Sequence, residues 1–505
     1  MAKVVSTNWR DRIIRNYGLG IYAHYIHMDN RIPKWLVGRP LAVFFVSFLL
    51  CFAVLGHTPN PEFMLDSVIL IIIFLYGGYE CSRRWTHVSE KRYLKNVLWA
   101  GILVRLVWVL YMYFLFNPKY YGTRYGDGAD VTWYMPFGEG IAEWIKGNNP
   151  MSFEELRIYW GSSLDDVGYP FWLAIVYLFT GGVSDVFIPM IVKTFVGGYC
   201  AISIYNIAKR HFGEATARLA ALFVALSPNM IYWCASMMKE AEMMFLCCFS
   251  IDRIDKAVSS GNKLTFKSLL PGVLAGLYLF FFRMALGLTV FMALFAHIVF
   301  VSDRVMGIGK KVVAGVLVAI MLGIGIGDRL ITQSERLLQS AQSEGQNVNM
   351  EWRSKRQGGN SFARYAGAAV FAPLIFTIPF PTFNAANEHH ILQIQLSGGN
   401  YLKNILSFFV VLVFLLMLAS GEWRRHVFIL AYTIGYLLVL VLSNFAQSGR
   451  FHMPVFPMLM LFAAYGVQIA KGNVSLRKGF NIFLFVEIVI CLGWNWFKLK
   501  GRGMV

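Results

Sequence analysis

The 505-residue sequence is short of charge, and its cysteines form no recognisable pattern. Charged residues make up 15% of the chain and hydrophobic residues 57%, whereas soluble domains average roughly 25% and 45–50%. The seven cysteines include no CxxC pair and lie in or beside apolar runs, which argues against a disulfide framework and a zinc site. With 45 glycines and 16 prolines, the composition excludes a collagenous or low-complexity chain. It indicates a multi-spanning membrane protein.

The charge that is present is mostly positive. Lys and Arg total 46 against 28 Asp and Glu, a formal net charge of +18. In a soluble protein this excess would suggest nucleic acid as a partner. In a membrane protein it is expected, because cytoplasmic loops collect Lys and Arg. We therefore predict membrane lipids, and no nucleic acid, among the partners.

Apolar runs long enough to cross the bilayer predict an all-α polytopic membrane fold with about thirteen transmembrane helices. They lie near 38–56, 66–82, 97–116, 183–207, 218–236, 240–256, 268–283, 285–302, 312–327, 400–420, 427–443, 453–470 and 479–496. The basic, aromatic residues 1–36 predict a cytoplasmic arm on the membrane surface, and 37–505 form the predicted transmembrane domain.

Loop charge orients these spans. The arm and the loop after the second span are rich in Lys and Arg, whereas the connection 57–65 has neither. This asymmetry puts the N terminus inside and sends the third span to the outside. The long polar segments 117–182 and 328–399 are then both outside. Within the first, the apolar piece 169–182 is short for a crossing, which predicts an interfacial or re-entrant helix.

The first outside segment contains the acidic sequence YGDGADVTWY at 125–134. Asp127 and Asp130 are three residues apart, a spacing that puts both on one face of a helix. Two such carboxylates suit general-base activation of a hydroxyl or coordination of a divalent cation. The alternative is a helix cap, since acidic residues are common at helix starts.

Three basic residues stand at the predicted outer ends of spans: Lys239, Arg283 and Arg450. Charged groups at such positions are costly, so each is a functional candidate, with a lipid phosphate as the natural ligand. Arg450 and His452 precede two prolines that start the next helix and aim both side chains at the outer vestibule. The alternatives are a snorkelling lysine, an arginine that marks a turn, and a basic cap.

Together these motifs resemble the GT-C class of integral-membrane glycosyltransferases, in particular bacterial proteins similar to protein O-mannosyltransferases and the aminoarabinose transferase. The resemblance runs from about 97 to 470. The class's first outside loop has Asp, Tyr, Ala and Gly in order, here DVTWYMPFGEGIAEWIKGNNP with Asp130, Tyr134, Ala142 and Gly147. It continues with VGYPFWLAIVYLFTGG, AKRHFG, ARLAALFVALSPNMIYW and MKEAEMMF. It ends with an Arg-aromatic-x-x-Pro-x-x-Pro signature in GRFHMPVFPMLMLFAAYG.

The resemblance implies a polyprenyl-phosphate or polyprenyl-pyrophosphate sugar donor and a lipid, glycan or protein acceptor. Asp130 would be the general base or, in a metal-dependent member, a ligand for Mg²⁺ or Mn²⁺, with Asp127 assisting. Three cations would neutralise the donor phosphate: Lys239, Arg283 and Arg450. Four further residues would bind substrate: Tyr134, Glu240, His452 and Tyr169.

The resemblance to the bacterial branch implies a multi-pass protein of the bacterial inner membrane, with its active site facing the periplasm or the outside. Two spans precede the segment that normally comes first in the class, and no large soluble domain follows the last span, which disfavours a protein-sequon glycosylator. A polymerase or ligase of lipid-linked polysaccharide repeat units has the same chemical needs. A transporter or flippase for lipid-linked glycan would use the same cations without needing Asp130.

Overall fold

The computed structural model describes residues 30–56, 61–126, 129–162, 164–181, 185–259, 266–301, 351, 372–384, 391–443 and 445–504. Within these ranges all regular structure is helical. The longer helices are α1 (Trp35–Leu55), α2 (Pro61–Arg84), α3 (Glu90–Tyr121), α4 (Ala129–Ile145), α6 (Gly168–Phe179), α7 (Phe187–Phe212), α8 (Glu214–Leu226), α10 (Glu240–Ser259), α11 (Phe266–Phe282), α12 (Met284–Val301), α14 (Ser397–Ser420), α15 (Val427–Leu442), α17 (Phe456–Lys471) and α18 (Val474–Lys500). The short ones are α5 (Phe153–Tyr159), α9 (Pro228–Tyr232), α13 (Ile391–Gln395) and α16 (Gly449–His452).

Seven of these helices are long and apolar enough to cross a membrane, and a bent pair raises the number to eight. Four shorter apolar helices of 10–17 residues accompany them. The predicted all-α polytopic fold is therefore confirmed. Twelve predicted spans each overlap a described helix, and the ninth, 312–327, lies outside the described residues, so the total of thirteen stays a prediction. Most of the predicted arm 1–36 and most of the segment 328–399 also lie outside them.

Helices α8 and α17 form the centre of the bundle. Every residue of α8 after Glu214 is buried, as is every residue of α17 before Lys471. Helix α8 packs against α3, α7 and α17, and α14 covers another side of α17. By contrast, α1 and α18 pack against each other at the periphery and expose large apolar side chains such as Val54 and Phe485. Apolar side chains that face outward in this way suit a lipid environment.

The span that contains α8 is broken after Leu226, where the chain bends by 47° before Pro228 begins α9. Proline suits the first position of a helix because it has no N–H to leave unsatisfied. The buried Arg105 of α3 donates to the carbonyls of Ala225 at 2.6 Å and Val224 at 3.2 Å. These carbonyls lack helical partners at the end of α8, so the guanidinium stabilises the break.

Helices α4, α5 and α6 lie between α3 and α7, and α6 corresponds to the short helix that the sequence predicts at 169–182. Helix α5 starts with a capping box, in which Ser152 and Glu155 each accept a hydrogen bond from the other's backbone N–H. Helix α6 packs along α4 and begins beside the end of α11. A Cβ on Gly168 would lie 2.5 Å from Phe282 Cδ2, so only glycine allows α6 to begin this close to α11.

Candidate active site

Five segments meet at one end of the bundle and bring together charged side chains that are far apart in the sequence. They are the first turn of α4, the residues before α6, the residues before α10, the junction of α11 and α12, and α16. We refer to Asp130, Asp166, Lys239, Glu240, Arg283 and Arg450 as the charged cluster.

Arg450 links two carboxylates in the charged cluster. Its Nη2 lies 2.7 Å from Asp130 Oδ2, and its Nε donates to Glu240 Oε1. Glu240 is fully buried at the start of α10, whereas the Asp130 side chain is 44% exposed. Burial disfavours the charge on Arg450, but Glu240 and Asp130 outweigh it and raise its pKa. The arginine therefore stays charged beside the predicted base.

Lys239 occupies the other side of the charged cluster. Its ammonium contacts Asp166 and lies 5.7 Å from the centre of the Tyr134 ring. Burial lowers the pKa of Lys239, and the carboxylate of Asp166 opposes that change. The Tyr134 hydroxyl donates to Asp166 Oδ1 at 3.4 Å, and burial raises the pKa of this phenol, which keeps it protonated.

Arg283 sits between α11 and α12 and faces an aromatic surface. Its guanidinium carbon lies 4.3 Å from the centre of the Phe451 ring, and Nη1 donates to the Tyr436 hydroxyl at 3.2 Å. Tyr436 in turn donates to the Phe451 carbonyl, so Arg283 is connected to the short helix that carries Arg450. Among the residues that the structure describes, no carboxylate lies within ion-pair distance of Arg283. It is the cation of the cluster best able to receive an external anion.

Behind Lys239 lies a buried layer built on Lys193 of α7. The Lys193 ammonium donates to the carbonyls of Ser236 at 2.9 Å and Met238, and it lies 3.4 Å from Glu242 Oε2. It also lies 4.7 Å from the centre of the Tyr169 ring. One ammonium therefore holds the residues that precede α10 and the start of α6.

Tyr169 packs under the cluster. Its ring meets that of Tyr134 edge-on at 5.1 Å, and its hydroxyl makes no hydrogen bond within the described part of the chain. The resemblance to GT-C enzymes implies that both tyrosines bind substrate. In the structure Tyr134 contacts two members of the charged cluster directly, whereas Tyr169 supports Tyr134 from below.

His452 points away from the charged cluster although it lies two residues from Arg450. It is buried, its Nε2 donates to the Ala446 carbonyl at 2.6 Å, and Nδ1 accepts from Lys403 at 2.9 Å. Burial and the neighbouring Lys403 lower the pKa of His452, which keeps the ring neutral. This contact anchors α16 to α14. Asp127, the second predicted catalytic carboxylate, lies outside the described residues.

The formal charges of the cluster balance, with three cations against three carboxylates. Glu240 Oε2 is buried and makes no hydrogen bond to a described residue, so Glu240 and Asp130 are the carboxylates best placed to hold a divalent cation. Across the described ranges, no three His, Cys, Asp or Glu side chains are grouped as metal ligands. A Mg²⁺ or Mn²⁺ ion here would compete with the guanidinium of Arg450, and it stays a prediction.

Residues 165–325 match the family model for dolichyl-phosphate-mannose-protein mannosyltransferases, inside the segment that carries the GT-C resemblance. The match confirms the predicted likeness to GT-C glycosyltransferases. No curated protein sequence matches the chain.

Two solved structures from the archaeon Archaeoglobus fulgidus are similar at low identity. One is its oligosaccharyltransferase in complex with Zn and sulfate, with 13% identity, a TM-score of 0.41, and coverage of 81% of this chain and 52% of that one. The other is the oligosaccharyltransferase AglB with an inhibitory peptide and a dolichol-phosphate, with 12% identity, a TM-score of 0.42, and coverage of 82% and 56%. This chain spans about half the length of each.

Proposed function

We propose that this protein is a membrane glycosyltransferase that moves a sugar or glycan from a polyprenyl-phosphate or polyprenyl-pyrophosphate donor to an acceptor. The charged cluster is the active site, with Asp130 as general base and Lys239, Arg283 and Arg450 as the phosphate-binding cations. The site opens on the periplasmic or outer face of a bacterial inner membrane. The family match and the positive-inside orientation support this proposal.

The transfer step follows from these roles. The acceptor hydroxyl gives its proton to a carboxylate oxygen of Asp130 while its oxygen bonds to the anomeric carbon of the sugar. The bond from that carbon to the phosphate oxygen breaks, and its electron pair leaves with the polyprenyl phosphate. The three cations stabilise the negative charge that develops on this leaving group. A divalent cation, in a metal-dependent enzyme, would supply further stabilisation of the same charge.

The observation that carries the proposal is the contact between Asp130 and Arg450. A base for the acceptor and a cation for the leaving phosphate must lie within a few ångströms of the same reacting bond. Asp130 begins α4 and Arg450 lies in α16, yet their side chains touch at 2.7 Å. Glu240, next to Lys239 in sequence, contacts the same guanidinium. A helix cap or an isolated surface arginine would not require this convergence.

The acceptor determines which transferase this is. A lipid, a growing glycan and a protein hydroxyl all present the same nucleophilic oxygen to Asp130. A polymerase or ligase of lipid-linked repeat units is therefore the nearest alternative within the same chemistry. The exposed side chain of Asp130 suits any of these acceptors.

Transport of a lipid-linked glycan is the second candidate. The 47° break between α8 and α9 favours it, because transporters often build their binding sites from broken helices. A transporter would use the three cations for phosphate but would have no need for a base. Its donor would cross the membrane unchanged.

Purified protein in detergent, incubated with polyprenyl-linked sugars and a panel of lipid, glycan and peptide acceptors, separates these functions. Mass spectrometry of the products would show a new glycosidic bond and free polyprenyl phosphate if the protein is a transferase. Donor that is bound but recovered intact with every acceptor, together with its movement across reconstituted vesicles, would instead identify a transporter.

A further inference from the structure

We infer that the donor itself releases the catalytic base: its phosphate replaces Asp130 as a ligand of Arg450, so Asp130 becomes an effective base only after the donor has bound. This inference rests on the proposed function and describes how the same site is regulated. It begins from the charge pairing within the cluster, where Arg450 contacts Asp130.

The contact with Arg450 restricts Asp130 as a base. Nη2 of Arg450 lies 2.7 Å from Oδ2 and occupies one of the two oxygens that could accept the acceptor's proton. Loss of this contact leaves both carboxylate oxygens available to a hydroxyl.

The two carboxylates on Arg450 differ in how easily they can be exchanged. Glu240 is fully buried and fixed in the first turn of α10, whereas the Asp130 side chain is 44% exposed. A partly exposed ion pair is weak, since water and salt screen it. An incoming anion would therefore displace Asp130 and leave Glu240 in place.

The shape of arginine allows this exchange without loss of position. Nε contacts Glu240 and Nη2 contacts Asp130, so the two partners use separate donors of one planar group. A phosphate oxygen can take over Nη2 while Nε keeps its bond to Glu240. The guanidinium then stays in place, and only its exposed partner changes.

Arg283 gives the phosphate its first position. It has no carboxylate within ion-pair distance among the described residues. Its guanidinium packs on the ring of Phe451, the residue that follows Arg450. The ammonium of Lys239 lies close enough to Arg283 for the two charges to repel. An anion bound between them relieves this repulsion. The guanidinium carbon of Arg450 lies 5.9 Å from the centre of the same Phe451 ring that Arg283 contacts, so both arginines flank one residue.

The consequence is an ordered reaction. The donor binds first, Asp130 is released, and the acceptor then meets an active base. If the acceptor binds without donor, Asp130 is still paired with Arg450. Donor binding and acceptor activation are therefore linked through one guanidinium.

Affinity for the leaving group tests the exchange directly. The probe is a short-chain polyprenyl phosphate without sugar, and its Kd is measured for the full-length protein in detergent with EDTA and again with Mg²⁺. If Asp130 competes with phosphate for Arg450, Asp130→Asn binds the probe about two- to fivefold more tightly, the range expected when one partly exposed ion-pair competitor is removed. Glu139→Gln, the same charge change on the same helix, leaves the Kd unchanged.

A second pair of variants tests whether the gain passes through Arg450. In an Arg450→Gln background, Asp130→Asn should no longer tighten binding, because the guanidinium for which Asp130 competes is gone. Equal or weaker binding by Asp130→Asn in the wild-type background overturns the inference, as does an equal gain from Glu139→Gln. Failure of the wild-type protein to bind the probe under either condition would overturn the proposed function instead.

Discussion

Lys193 and Glu242 form a buried ion pair directly behind the charged cluster, with Nζ and Oε2 3.4 Å apart. Both side chains are almost fully shielded, at 0% and 3% exposure. The same ammonium donates hydrogen bonds to two backbone carbonyls of the residues that precede Lys239. The pair therefore sets, from within the protein, the position of Lys239, which we propose binds the donor phosphate.

Substitution of Lys193 should destabilise the fold by more than the loss of the hydrogen bonds that Lys193 makes. Lys193→Met leaves the Glu242 carboxylate buried without a counter-charge, which typically costs about 3–5 kcal/mol. We expect a lower apparent unfolding temperature in detergent and a higher KM for the donor. The double variant with Glu242→Gln removes the uncompensated charge and should recover most of the stability while the KM stays raised. A double variant no more stable than the single one would contradict this explanation.

The pH dependence of donor binding should reveal Lys239. Its pKa is lowered by burial, so its positive charge is lost at a lower pH than that of an exposed lysine. Phosphate binds the charged form, and affinity should therefore fall as pH rises through this lowered pKa. Asp166→Asn removes the carboxylate that favours the charge, which moves the alkaline loss of affinity to still lower pH. Lys239→Arg should abolish the loss over about pH 7–10, because arginine stays charged there.

Titration of polyprenyl phosphate binding across that pH range, for the three proteins, is the measurement. A profile that is the same for wild type and Lys239→Arg would show that another group controls binding. A shift to higher pH in Asp166→Asn would contradict the role given to Asp166.

Helix α6 should tolerate no side chain at its first residue. In Gly168→Ala the new Cβ would meet Phe282 Cδ2 at 2.5 Å and the Phe281 carbonyl carbon at 2.8 Å. Overpacking of this kind costs about 1–3 kcal/mol. We expect a lower apparent unfolding temperature and weaker donor binding, because α6 carries Tyr169 beneath Tyr134.

Gly38→Ala is the matched control, since a Cβ at Gly38 meets no atom within 4 Å. It lies inside α1, where alanine is favoured over glycine, so its unfolding temperature should stay equal or rise slightly. Equal effects of the two substitutions would show that the close approach at Gly168 is not what limits stability.

The spans could be predicted from the sequence because a long apolar run indicates a membrane-spanning helix whichever helices pack against it. The break within one span could not be predicted in this way. The run 218–236 reads as one continuous crossing, and the bend depends on Arg105, a residue of another helix that satisfies the carbonyls at the break.

Candidate site residues were predicted where charge interrupts an apolar pattern. That signal found Arg283, and it was equally present at Lys193 within MIVKTFVGG, where a charged residue inside a span also marks function. Asp166 carried no comparable signal, since it lies among several acidic residues of one loop. Its contact with Lys239 depends on how α6 approaches α10.

His452 illustrates a different limit. Arg450 contacts Asp130, whereas His452, two residues further along α16, contacts Lys403. Proximity in sequence predicted a shared vestibule, whereas the turn of the helix separates the two side chains. The direction in which a side chain points within one helical turn depends on the neighbouring helices, and a single sequence does not show which helices these are.

In the proposed mechanism, Asp130 takes part in the chemical step rather than in donor binding. The most direct test follows sugar transfer and donor binding in the same samples of wild type, Asp130→Asn and Glu139→Gln. We expect Asp130→Asn to bind donor at least as tightly as wild type but to lose transfer by about 10²–10⁴-fold, the contribution typical of a general base. We expect Glu139→Gln to retain both binding and transfer. Transfer at near wild-type rate by Asp130→Asn would contradict this role of Asp130.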